Sequence, residues 1–304
     1  MAHIKQTKRT HHRSGTAMRR ALRRESPNTV GLLVDAEDFA AMRHYRTFTF
    51  DDHSVYLQQI EGLLKTLAAQ GMHTTVALFD PEDYAEFCTD SGLDPDARTS
   101  RSRFTAEIAA AGATVTYTGQ PLAALIPLLV SRAVRRATWE YATMLLADLG
   151  DCADCGQDIG RAAFDRASHL LMRLLETAGP GTHQAVCSTP TENEQLLAVL
   201  HTTRHPDGPV HLGSSQGAEF ATVLAVGIAL DTQGGVVLRT SSAGTPDRVH
   251  GWRLISGGLV PLTAGEVFSA YCTDADTGEP VSPESNVEYC AGFDLGADEP
   301  EKHH

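Results

Sequence analysis

At 304 residues the chain is long enough for one large domain or two smaller ones with cores of their own. A hydrophobic content of 42% excludes a disordered chain, and no run reaches the roughly 18 apolar residues of a membrane-spanning helix. The net charge of −13 hides an asymmetry: residues 1–28 carry Lys5, Lys8, Arg9, Arg13, Arg19, Arg20, Arg23 and Arg24 against Glu25, a balance of +7, so the remainder carries −20. From Asp274 onward Asp276, Glu279, Glu284, Glu288, Asp294, Asp298, Glu299 and Glu301 face Lys302 alone. The basic start lacks the apolar run and small-residue cleavage site of a secretory signal. The six cysteines, at 88, 152, 155, 187, 272 and 290, are too scattered for a disulfide framework. A soluble, cytoplasmic protein is expected.

In chain order, residues 1–28 read as a basic, disordered arm, with room for a short helix stopped by Pro27. "TVGLLVD" from Thr29 is a continuous apolar run, as a strand covered on both faces should be. "DDHSVYLQQIEGLLKTLAAQG" places Val55, Ile60, Leu63, Leu64 and Leu67 at helical spacing, with Asp51 or Asp52 as cap and Gly71 as stop. "MHTTVALFD" predicts a second strand ending in Asp80, with Pro81 in the first turn of the next helix. "SRFTAEIAAAG" predicts a helix, "ATVTYTG" a third strand, and "QPLAALIPLLVSRAVRRATWEYATMLLADLG" a long helix kinked near Pro127. "GQDIGRAAFDRASHLLMRLLETAG" predicts another helix, "THQAVCS" a fourth strand and "PTENEQLLAVLHTT" its helix. The alternation predicts an α/β domain over residues 29–207, a three-layer parallel sheet of Rossmann-like kind. "ATVLAVGIALDTQGGVVLRTS" and "DRVHGWRLISGGLVPLT" each read as two strands. They predict a smaller β-rich module or sheet extension over 208–273, followed by an acidic tail over 274–304.

Ligands of open α/β sheets bind at the carboxyl ends of the strands. There the first strand offers Asp35, Glu37 and Asp38, the second Asp80, Glu82 and Asp83, and the fourth Ser188, Thr189, Glu192 and Glu194. Carboxylates that share a small volume repel one another unless a divalent cation neutralises them. Two readings follow. In one, Asp35, Glu37, Asp38 and Asp80 hold Mg²⁺ or Mn²⁺, with Asp35 and Asp80 catalytic in phosphodiester hydrolysis. In the other, the same acids are helix N-caps and first-turn residues favoured by the dipole. The order of elements, opened by "LLVDAED", resembles the PIN/NYN group of metal-dependent ribonucleases over about residues 29–203. The resemblance implies that Asp35 is the principal metal ligand and that "CSTPTENE" (Cys187–Glu194) is the serine-and-acid motif of a later strand. Where the group carries aspartates after that serine, this chain has Thr189, Pro190 and glutamates, and its long helix supplies only Glu140 and Asp148.

Three further features carry chemistry. The arm, with Arg9, Arg13, Arg19, Arg20, Arg23 and Arg24 at its centre, suits nucleic-acid phosphates. A disordered terminus, or docking on the chain's own acidic tail, accounts for it as well. "CADC" (Cys152–Cys155) is a lone CxxC. Structural zinc wants four ligands and no second pair exists, so zinc is disfavoured; a thioredoxin-type pair would follow a strand, and this one lies between helices. "GSSQG" matches G-x-S-x-G at Ser215, with His250, Asp231 and Asp247 crowded downstream. The sequence contains neither G-x-G-x-x-G nor G-x-x-x-x-G-K-[ST], against classical dinucleotide or P-loop binding. The functions in view are a nucleic-acid-associated, PIN/NYN-like ribonuclease or a degenerate relative; a non-catalytic regulatory or scaffold protein that binds a protein partner or itself; and a serine hydrolase at Ser215.

Overall fold

A computed structural model describes residues 28–206, 208–210, 212–274 and 277–296. The expected arm, with its six arginines, lies outside the described residues. The chain divides into two compact units, 1–136 and 137–304. The boundary falls inside one helix and not near residue 207, where the change in sequence pattern had placed it.

The first unit holds β1 (Asn28–Leu32), α1 (Ala36–Met42), α2 (His53–Ala69), β2 (Thr74–Leu78), α3 (Pro81–Asp90), α4 (Arg98–Ala111), β3 (Thr114–Thr116) and the start of α5 (Leu122–Asp148). The sheet order is β1-β2-β3, with β1 and β2 parallel and β3 antiparallel to β2. α4 packs against β1 and β2, and α2 against β2. Asp52 caps α2 by accepting the Val55 N–H at 2.9 Å, and Gly71, at φ 69°, reverses the chain after it. Between strands and helices Leu32, Leu64, Val76, Tyr84, Leu125 and Leu129 are wholly buried. Pro127 lies within α5, as expected.

The second unit holds the rest of α5, then α6 (Ile159–Ala178), β4 (Gly181–Pro190), β5 (Gln195–Arg204), α7 (Ser214–Ala229), β6 (Gly235–Ser241), β7 (Asp247–Ile255), β8 (Gly258–Pro261), α8 (Ala264–Tyr271) and β9 (Val287–Tyr289). Its sheet runs β5-β4-β6-β7-β8, antiparallel throughout, with β9 parallel to β7. α6 packs on α7, and α7 on β4 and β5. The two helices and the sheet enclose Leu171, Leu174, Leu175, Phe220, Leu224, Val226 and Leu238.

The fold is therefore mixed α/β, and four expectations are corrected. β4 is not a strand of the β1–β2 sheet; it forms an antiparallel ladder with β5 and β6. "PTENEQLLAVLHTT" is not a helix. Thr191–Glu194 is the turn of the β4–β5 hairpin, with the Thr191 N–H on the Glu194 carbonyl at 2.8 Å, and Leu196, Ala198, Leu200 and Thr202 alternate inward. "GAEFATVLAVGIA", read as a strand, is the buried helix α7. The segment taken as acidic tail also takes part in the core: β9 extends the sheet, and Leu295 is 4% exposed.

Candidate functional site: an acidic edge on the first unit

Parallel pairing of β1 and β2 brings their carboxyl ends side by side. The chain leaving β1 is held firmly. The Leu33 N–H donates to the Tyr56 hydroxyl at 3.2 Å, and the Leu33 carbonyl lies 3.2 Å from Nε2 of His53. Both partners come from the first turn of α2, whose aromatic face packs against Phe39 of α1. This cradle fixes the chain where it leaves β1: Val34 still packs against the core, and Asp35 turns outward to start α1. Asp35, exposed, caps α1: its Oδ1 accepts the Asp38 N–H at 2.8 Å. Asp80 repeats the arrangement at α3, accepting the Glu82 N–H at 2.7 Å and the Asp83 N–H at 3.3 Å, with Pro81 in the first turn. α1 and α3 are in contact, so the two caps are neighbours.

The electrostatics record that proximity. Partial burial, then the charges of Asp35 and Asp80, a hydrogen bond with the Asp35 side chain and the charge of Glu37 push Asp38 up to about 6. Asp83 is also raised, by burial first and then by Asp80, Glu86 and Glu82. Hence Asp35, Asp38 and Asp80 do converge on one edge, while Glu37 is exposed on the outer side of the first turn of α1. The carboxylates of Asp35 and Asp80 are nonetheless engaged as caps. Among the described residues no group of three His, Cys, Asp or Glu side chains is placed to hold a metal ion.

Asp38 makes a prediction with a defined sign. Its folded pKa lies above the ordinary carboxylate value, so the native state binds the proton more tightly than the unfolded chain does. That stabilisation is full below about pH 4 and is lost as pH rises through about 6. Asp38→Asn is expected to raise stability at pH 7 by about 1 kcal/mol, after discounting for solvent screening, and to change it little at pH 4. Urea unfolding of both proteins at the two pH values measures this; equal differences at both would show that Asp38 is not under charge strain.

The remaining sequence candidates are placed differently. Ser188 and Thr189 lie on β4, and Glu192 and Glu194 in the hairpin turn after it, in the second unit. The resemblance to the PIN/NYN group required a parallel strand there, which β4 does not supply. Ser215 sits in the first turn of α7, and the residues described just before it are loop, so the strand-to-helix elbow of a hydrolase nucleophile is absent. His250 is held at 2.8 Å by the Ala291 carbonyl and packs on Trp252 and Phe293. His183 is buried between Thr240 and the Gly179 carbonyl, which with its burial marks it as a core histidine.

Sequence reasoning missed the Tyr56–His53 cradle. The signal was available: a polar ring and a phenol three residues apart on a helix whose other inward positions are aliphatic. It also missed a cavity of about 830 Å³ along β1, lined by Thr29, Gly31, Thr47, Phe50, Arg98 and Arg101.

The geometry so far defines a class: an α/β unit with a paired-cap acidic edge, followed by an antiparallel α+β unit. Residues 17–120 match the model of a family described as a domain of unknown function (DUF8829), which covers the acidic edge and most of the first unit. No curated protein and no solved structure matches the chain.

Proposed function

We propose that the chain is a nucleic-acid-associated binding protein whose first unit is a degenerate counterpart of the PIN/NYN ribonucleases. The observation that carries this reading is the engagement of Asp35 and Asp80 as helix caps at the edge where such an enzyme holds its ion. Absence of a parallel β4 from that edge supports it further. Contact with nucleic acid falls to the arm. Eight Lys and Arg within residues 1–28 oppose a remainder of −20, which repels phosphate. Binding is therefore electrostatic, weakly sequence-selective and strongly dependent on salt. Among the described residues no helix is long and apolar enough to cross a membrane.

The test is calorimetric titration of Mn²⁺ and Mg²⁺ into the wild type and Asp35→Ala, with RNA cleavage assayed on the same samples. No saturable ion binding and no cleavage above background are expected from either protein. Filter binding to single-stranded RNA should give a log–log salt slope no steeper than about −6, since each neutralised phosphate contributes about −0.7. Removal of residues 1–27 should abolish that binding. Ion-dependent cleavage that disappears in Asp35→Ala would instead establish a nuclease.

A second reading, a scaffold that binds a protein partner or itself, is favoured by one observation. On the face of the second sheet away from α7, Val199, Val186 and Val237 pair across three strands, and neighbouring Leu197 is 52% exposed. Light scattering on the same samples separates the two readings. A concentration-dependent oligomer that Leu197→Asp dissolves, with no RNA binding, would favour the scaffold.

A further inference from the structure

The α5–α6 connection holds the CxxC pair that the acidic edge leaves unused, and it is a closed hairpin. Asp151 and Asp158 form an antiparallel bridge. The Cys152 N–H donates to the Gln157 carbonyl at 2.7 Å, the Gly156 N–H to the Cys152 carbonyl at 2.8 Å, and the Ile159 N–H to the Gly150 carbonyl at 3.1 Å. Gly150 and Gly156, at φ 65° and 70°, make the two reversals that only glycine adopts freely. Cys152 and Cys155, three residues apart, are thus held within one closed turn, and hydrogen bonding from the N–H groups of Cys155 and Asp154 and from the Cys155 thiol lowers the Cys152 thiol below its ordinary value. Cys155 is exposed and Cys152 half-buried, so both are open to a small reagent.

We propose that Cys152 and Cys155 form a redox-active dithiol that exchanges with low-molecular-weight disulfides, Cys152 attacking and Cys155 resolving. The three donors on the Cys152 sulfur stabilise its thiolate and hold that thiol below the usual range. In the first step this thiolate attacks one sulfur of a disulfide such as glutathione disulfide. A mixed disulfide forms as the reagent's S–S bond breaks, and one glutathione leaves as thiolate and takes a proton from water. Cys155 then loses its proton to solvent and attacks the Cys152 sulfur, expelling the second glutathione. Two protein thiols are oxidised to one disulfide, and one reagent disulfide is reduced to two thiols. In a thioredoxin-type site a helix N-terminus supplies the activating donors; here the turn itself supplies them.

The other cysteines do not share this setting. Cys88, Cys187 and Cys272 are buried, with burial pushing Cys187 up to about 12, and Cys290 is raised by burial and by Glu288. A structural zinc ion needs four donors, and His183 and Cys187, among the nearest in sequence, are in the core. The hairpin has the two sulfurs that a disulfide requires.

The experiment uses the full chain in glutathione buffers of graded oxidation, acid quench, alkylation and peptide mapping by mass spectrometry. Cys152 and Cys155 are expected to lose alkylation together, with the peptide lighter by two hydrogens, while Cys88, Cys187 and Cys272 stay alkylated after unfolding. Cys155→Ser should trap glutathione on Cys152, because the serine hydroxyl keeps an O–H donor but cannot resolve. Cys152→Ser should react roughly tenfold more slowly, since it removes the attacking thiol. A pair that stays reduced in glutathione disulfide alone, or variants that react at one rate, would overturn the proposal. So would Zn²⁺ that shields both thiols against a competing chelator, which would make the pair a metal chelate.

Discussion

Replacing Trp252 with alanine is expected to lower the stability of the second unit by about 3–5 kcal/mol, read as a fall in urea midpoint by far-UV circular dichroism. Trp252 is 1% exposed in the middle of the sheet, paired across β7 with Val236 on one side and Pro261 on the other. Its indole N–H donates to the Phe293 carbonyl at 2.9 Å, and the two rings meet edge to face at 4.8 Å. Alanine removes the ring, leaves a cavity bounded by rigid strands, and deprives the Phe293 carbonyl of its donor. Trp252→Phe keeps an aromatic ring but loses the donor and part of the ring volume, so it should cost less, about 1–3 kcal/mol. The difference between the variants measures packing separately from the hydrogen bond. A loss within about 1 kcal/mol for alanine, the ordinary range for a substitution without a special mechanism, would mean that the C-terminal segment does not anchor on this side chain.

That anchoring concerns the segment the sequence reads as an acidic tail. Net charge beyond Asp274 is strongly acidic, and charge alone reads as a tail. One three-residue strand and two single side chains decide otherwise: Val287–Tyr289 as β9, then Phe293 and Leu295. Such short apolar insertions leave no periodicity. The same ambiguity, in longer form, misplaced α7. "GAEFATVLAVGIA" is apolar all round because it is buried on nearly every side, with Phe220, Ala225 and Val226 at 0% exposure. Periodicity cannot separate a wholly buried helix from a buried strand, and only its length argued for helix. Conversely, "STPTENEQLLAVL" carries the residues of an N-cap and first turn, yet tertiary pairing with β4 overrides them.

Where local chemistry and tertiary context agree, the sequence was legible. β1, β2, α2, α3 and α6 follow from apolar runs, 3.6-residue spacing and, for α2 and α3, the acid caps at Asp52 and Asp80. The candidate edge was legible in part. Convergence of Asp35, Asp38 and Asp80 follows once β1 and β2 are parallel neighbours, but the choice between cap and ligand depends on which N–H groups lie within 3 Å, and spacing does not encode that.

The largest effect on the first unit is expected at Tyr56. Tyr56→Ala should destabilise by about 3–5 kcal/mol, because the ring is 4% exposed and packs against Phe39, Phe48, Phe50 and His53. Tyr56→Phe isolates the hydroxyl. It keeps those ring contacts and leaves the buried Leu33 N–H without its acceptor, a loss of about 1–3 kcal/mol. Urea unfolding of both variants measures the two terms, and a Tyr56→Phe effect under about 0.5 kcal/mol would show that water replaces the hydroxyl. The hydroxyl matters beyond stability, because Leu33 is the last fixed point before Asp35. If the acidic edge acted on nucleic acid, loosening that point would weaken RNA binding as well. If the basic arm is the contact, Tyr56→Phe should bind RNA with wild-type affinity and salt slope at temperatures where it stays folded. The same variant thus separates a scaffold held together by its strand end from a site that depends on it.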